Sequence, residues 1–214
     1  MSPPTKARII VEPDGLVYNS EHYHRVIGHP RNWCVRNDGI HIDGSATPLR
    51  TMGKPVTLQR IKDDFGHLAA RYSYMRLIGA LIATESGGNP RAERFEGKIL
   101  DWSFGICQVL TKTATSLYAR YHWLPKPPTA IRCDDDKSVE EWRVFFQDPS
   151  VSIDYAAAYI TNLSECCSDP IMLYAMYNAG GAYESFSNPW GLRSAKGALD
   201  RFAAWYGDAC EVFK

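Results

Sequence analysis

Residues 77 to 90 read LIGALIATESGGNP, an apolar helical stripe that runs into a carboxylate and then into two glycines and a proline. Leu77, Ile78, Leu81 and Ile82 recur at spacings of three and four, the pattern of a helix turned toward a core. Glu85 follows Ile78 by seven residues, Leu81 by four and Ile82 by three, so it shares their face. Any fold built on this segment sets a carboxyl group beside hydrocarbon, where ionisation costs several kcal/mol. A carboxyl so placed holds its proton to a higher pH than usual, which makes Glu85 a candidate proton donor near neutrality. Gly87 or Gly88 supplies the left-handed residue that ends such a helix, and Pro90 cannot extend it.

The stripe needs partners, and 214 residues with 45% hydrophobic content are enough for one packed domain. Twenty-four basic residues balance 24 acidic ones with no long run of either sign, so nothing suggests an electrostatic grip on nucleic acid or an anionic membrane. No segment approaches the ~18 apolar residues of a membrane span. The opening MSPPTKARIIVEPDG lacks the apolar core of a secretory signal, so the expectation is synthesis in the cytoplasm without a signal peptide. Six cysteines, at 34, 107, 133, 166, 167 and 210, form no C-x-x-C pair and no zinc spacing with histidine, which points to reduced, partly buried thiols. His22 and His24 lack a matching ligand pair and read as surface side chains, so neither a metal nor another cofactor is expected.

The texture changes near residue 55. Residues 1–55 hold short β-favouring pieces (ARIIVEP, LVYN, WCVRN, GIHID) between P-D-G, G-H-P, N-D-G and D-G-S turns, which predicts a few short strands or an irregular N-terminal wrap of unknown role. Residues 56–214 are dominated by helical periods, so the fold class is mainly α, with the short strands making it α+β. A first helix carries Leu58, Ile61, Phe65 and Leu68 on its buried side, and the Glu85 helix comes next. Residues 91–110 show no helical period and predict a loop or small hairpin before Thr111 caps a helix through Ala114, Leu117 and Tyr121. LPKPPTAIRCDDDKSVEE, with its prolines and three aspartates, reads as an exposed connector. Asp148-Pro149 and Asp169-Pro170 each provide an N-cap and a proline at the first helical position. The first of those helices buries Ile153, Ala156, Ile160 and Leu163. The second stops at Gly180-Gly181, and a last helix carries Leu192, Ala195, Leu199 and Phe202.

Three segments occur in a telling order: A-T-E-S-G-G-N-P at 83–90, S-F-G-I-C-Q-V at 103–109 and M-Y-N-A-G at 176–180. Together they resemble the lytic transglycosylases of the soluble-lytic and goose-type-lysozyme-like group, whose signature is an E-S pair, a G-L-M-Q-like turn and an A-Y-N-A-G helix end. Each motif alone is weak; the ordered trio is specific. The resemblance covers about residues 75 to 185 and implies a lysozyme-like helical domain that continues through the last helix. Ile106-Cys107 replaces the usual Leu-Met and Met176 stands where alanine is commoner; both changes keep moderate apolar volume.

The resemblance implies that Glu85 is the catalytic acid, cleaving the bond between N-acetylmuramic acid and N-acetylglucosamine and then accepting a proton as a 1,6-anhydro ring closes. It implies that Ser86, Gln108, Tyr177 and Asn178 bind substrate or orient the acid. Each has a plainer reading: Ser86 as a helix-end serine bonding a carbonyl, Gln108 as a turn brace, Tyr177 as a core ring and Asn178 as a helix cap. Glu96 and Asp101 are possible second acids, which a hydrolytic lysozyme would use to activate water; the plainer reading for both is structural. Trp102, Tyr183, Phe186 and Trp190 could stack on sugar faces or fill the core. The partner so implied is peptidoglycan glycan, with no membrane insertion. Delivery to the wall is by a holin-type release partner, as for a phage endolysin, or by virion or secretion machinery. A non-catalytic wall-binding or virion structural protein is the reading from outside the enzymes.

Overall fold

The computed structural model describes residues 8–12, 15–19, 32–36, 39–42, 55–129, 136–185 and 190–213. His22, His24, Cys133 and Phe186 lie outside these residues. Four short strands come first: β1 (Arg8–Glu12), β2 (Gly15–Asn19), β3 (Asn32–Arg36) and β4 (Gly39–Ile42). They form an antiparallel meander in chain order, with Glu12 opposite Gly15 and Arg36 opposite Gly39.

Helices α1 (Pro55–Ala69) and α2 (Met75–Glu85) follow, then a second sheet of β5 (Glu93–Glu96), β6 (Asp101–Phe104) and β7 (Val109–Leu110). The rest is helical: α3 (Thr111–Arg120), α4 (Asp136–Gln147), α5 (Pro149–Ser164), α6 (Pro170–Ala179) and α7 (Ala198–Val212). The architecture is mainly α and lysozyme-like. No helix among the described residues is long and apolar enough to cross a membrane.

Helix α2 sits at the centre, packed between α1 and α7. Ile78, Ala80, Leu81 and Ile82 are fully buried, and each large aliphatic side chain so buried contributes about 1.5–3 kcal/mol. Leu58, Ile61 and Phe65 of α1 are buried with them. The contact with α7 is close because residue 79 is glycine: a Cβ there would come within 2.6 Å of the Phe213 ring. Helix α2 stops where the glycines direct, with Gly87 at φ 63° and Gly88 at φ 82°. The two Asp-Pro starts form as their residue types dictate. Asp148 accepts from the Ser150 N–H at 2.8 Å, and Asp169 accepts from those of Ile171 at 2.6 Å and Met172 at 2.9 Å.

Four local expectations change. The hairpin of residues 91–110 gains a third strand, β7, which pairs Val109 and Leu110 with Phe104 and Ser103. Thr111 does not cap α3; it is the helix's first residue, and Asp101 of β6 takes its hydroxyl and the Lys112 N–H at 3.2 Å. The exposed connector ends at helix α4, whose Val139, Trp142 and Phe146 are buried at spacings of three and four. The acidic run that suggested a loop places Asp136 in the first turn of α4, where the helix dipole favours a carboxylate. The last helix begins at Ala198, because Gly191 and Gly197 at φ 69° and 70° interrupt the chain; Leu192 instead bridges to Glu184.

Candidate active site

Glu85 is the last residue of α2, so the helix delivers its carboxyl to the rim of the core. It opens into a cleft of about 580 Å³, whose lining includes Gln108 of the turn before β7, Tyr177 and Asn178 of α6 and Glu96 of β5. Residues distant in the sequence meet here because α6 returns alongside the end of α2. Tyr174, Tyr177 and Asn178 recur at spacings of three and four, which puts them on one side of α6.

The hydroxyl that reaches the acid belongs to Tyr174. It donates to Glu85 Oε1 at 2.8 Å. The phenol ring is buried and stacks on Phe202 of α7, with centroids 4.2 Å apart and planes inclined by 3°, so the donor is held in place by packing. The Asn178 side chain also bonds Glu85, while its own Oδ1 accepts from the Ala195 N–H at 2.8 Å. Burial pushes the Glu85 carboxyl above the usual range; the Tyr174 hydroxyl, the charges of Arg201 and Arg94 and the Asn178 bond pull it back only in part. Burial, then the charge of Glu85, pushes the Tyr174 phenol far up, so it stays a donor across the working pH range.

The Gly105-Ile106-Cys107-Gln108 turn is tied from every side. Gly105 has φ 74°, and a Cβ there would collide with the Phe146 carbonyl and come within 2.9 Å of Ser152 Oγ. Gln108 takes a left-handed φ of 51°, a conformation that costs a residue with a Cβ about 1–2 kcal/mol. Its hydrogen bonds offset that cost: Nε2 donates to the carbonyls of Ala92 at 2.9 Å and Gly105 at 3.0 Å, and Oε1 accepts from Ser103 Oγ at 3.0 Å. Ser86 Oγ donates to the Ile106 carbonyl at 2.7 Å and accepts from the Gly88 N–H at 3.1 Å, joining the end of α2 to this turn. Tyr177 donates its hydroxyl to the Cys107 carbonyl at 2.9 Å and packs on Tyr159 at 4.9 Å.

The two other acids part company. Glu96 lines the cleft, with Oε1 2.9 Å from Arg94 Nε. Asp101 is buried away from it, accepting from Thr111, from Lys112 and from the Trp102 N–H at 2.8 Å. Of the aromatics, Trp102 lies between Phe95 and Phe104, and Trp190 is buried and donates to Asp200 Oδ1 at 2.8 Å. Tyr183 is half-exposed. Cys107, Cys166, Cys167 and Cys210 form no disulfides among the described residues, and burial pushes the Cys107 thiol up to about 12. Among the described residues no group of three or more His, Cys, Asp or Glu side chains is gathered as a metal site.

Glu85, Gln108, Tyr177, Asn178 and Glu96 therefore share one cleft, Ser86 stands behind it as a tie, and Asp101 lies elsewhere. Tyr174 is the residue that motif matching overlooks; its place one turn before Tyr177 and Asn178 is the signal that helical periodicity offers. The description "Transglycosylase SLT domain" matches residues 67–188, a span that encloses the end of α2, the 105–108 turn and α6. No curated protein and no solved structure matches the chain. More than half of its length falls within that match, and the chain belongs to the transglycosylase SLT domain family, the lytic transglycosylases that act on peptidoglycan.

Proposed function

We propose that the protein cleaves the β-1,4 bond between N-acetylmuramic acid and N-acetylglucosamine with Glu85 as its only catalytic carboxyl. The observation that carries this reading is the setting of Glu85, half-buried at the end of an apolar helix with its carboxyl raised and a fixed phenol at 2.8 Å. The protonated carboxyl, favoured by burial, donates to the bridging oxygen as the C1–O4 bond breaks and an oxocarbenium-like sugar develops. The resulting carboxylate takes the proton of the same sugar's C6 hydroxyl, whose oxygen closes on C1. Atoms balance without water, the products being an N-acetylglucosamine 4-hydroxyl and a 1,6-anhydro muramic end. Tethered attack of this kind reaches effective molarities of ~10⁵–10⁸ M, so no second carboxylate is required.

Tyr174 and Asn178 orient the acid and stabilise its ionised form between the two proton transfers. Gln108 has committed both amide hydrogens to main-chain carbonyls, so it offers a sugar the free lone pair of Oε1. Ser86 and Tyr177 fix the turn on which Gln108 stands. A hydrolytic lysozyme is the second reading, favoured by Glu96 in the cleft. Its carboxylate is engaged by Arg94, and Asp101 is occupied in holding the start of α3. Glu85→Gln tests the assignment. Clearing of purified sacculi should fall by about 10²–10⁴-fold, the usual share of general acid–base catalysis. A variant that clears sacculi at the parental rate would remove Glu85 from the reaction.

A further inference from the structure

The cleft holds more positive charge than bond cleavage uses. Arg94 is paired with Glu96, but Lys98 and Arg193, the other two cations lining the cleft, have no anionic partner among the described residues. In a chain whose 24 basic and 24 acidic residues balance, this is a local asymmetry. Lys98 belongs to the turn between β5 and β6, beside Ile99, which also lines the cleft. Arg193 comes from the segment before α7. Its main-chain N–H donates to the Tyr183 carbonyl at 2.8 Å, and its guanidinium carbon lies 5.4 Å from the Tyr183 ring centroid, so the ring contact directs the side chain. Two residues on, the Ala195 N–H holds Asn178, which ties this cation's backbone to a side chain that bonds Glu85.

A glycan backbone of N-acetylated sugars, its lactyl carboxyls tied up as amides, offers hydroxyls and amides but nothing for two cations to pair with. The charged part of a peptidoglycan strand is the peptide stem on the lactyl group of muramic acid, which carries free carboxylates. We propose that Lys98 and Arg193 bind a stem carboxylate, so that the protein prefers stem-bearing glycan over bare glycan. This rests on the reading of the cleft as the site of glycan cleavage. Exposed ion pairs of this kind are modest, so the two together should favour stem-bearing glycan about two- to tenfold.

The test compares soluble glycan strands of matched length, with stems intact or with stems removed by an amidase and the freed lactyl carboxylates then capped as neutral methylamides, as substrates for the full chain and three variants. The parent should show a lower KM on stem-bearing strands, and Lys98→Ala/Arg193→Ala should raise that KM to the bare-strand value while leaving cleavage of bare strands unchanged. Lys98→Arg/Arg193→Lys should keep the preference, and Lys98→Glu/Arg193→Glu should reverse it. Added salt should erode the parent's preference and spare the rate on bare strands. Equal KM values for the parent on the two substrates, or an equal loss on both in the alanine variant, would overturn the proposal. A parent that cleaves neither strand would overturn the proposed function, and this inference with it.

Discussion

The proposed mechanism sets Glu85 two opposing demands: to stay protonated until a glycosidic oxygen arrives, and to bear a negative charge a moment later. Burial serves the first and Tyr174 the second, since a hydrogen bond to the carboxylate favours the ionised form. Tyr174→Phe therefore pushes the carboxyl further up. The alkaline limb of its kcat/KM profile should move to higher pH while the plateau falls; loss of activity with no movement of the limb would mean that Tyr174 only supports the fold. Stability responds to the same group. The native state binds this proton more tightly than the unfolded chain does, so stability is lost as pH rises from the unfolded carboxyl's range through the raised native one. Glu85→Gln should match the parent's Tm in acid and gain on it as pH rises across that window, which a pH series of melting curves would record. Asp101 is the contrasting carboxylate, bound to three donors and buried outside the cleft lining. Asp101→Asn should cost about 1–3 kcal/mol of stability in a denaturant melt, yet the folded variant should release the same products as the parent.

At the scale of elements, the contact of α2 with α7 decides whether the site exists. Alanine at position 79 gains about 1 kcal/mol of helix propensity, but overpacking against the buried Phe213 ring costs about 1–3 kcal/mol. Gly79→Ala should therefore lower the Tm. Much of this layer is legible in the residues themselves. The apolar spacing of α2, the glycines after it and the two Asp-Pro starts each follow from local stereochemistry. What escapes is non-local: Asp101 caps α3 from a neighbouring strand, and β7 pairs across a turn whose φ 51° at Gln108 no propensity predicts. Helix α4 escapes for another reason, since its acidic start resembles a solvated loop until Val139, Trp142 and Phe146 are counted together. The motif residues were readable as a set. That Tyr174 rather than Tyr177 meets Glu85 depends on how α6 rotates against α2, which only packing determines.

For the whole molecule, the family match ends at residue 188, yet α7 lies beyond it and supplies Phe202 against Tyr174 and the Arg201 charge felt by Glu85. Ending the chain at residue 188 should expose the apolar face of α2 and abolish sacculus clearing, with a matching loss of near-ultraviolet circular dichroism. In the proposed mechanism one carboxyl, with no second acid and no water, breaks the glycan. Mass spectrometry of the muropeptides released from purified sacculi distinguishes this from hydrolysis. Muramic ends lighter by one water than hydrolytic ends, unchanged in Glu96→Gln, are the predicted result; reducing muramic ends would contradict it.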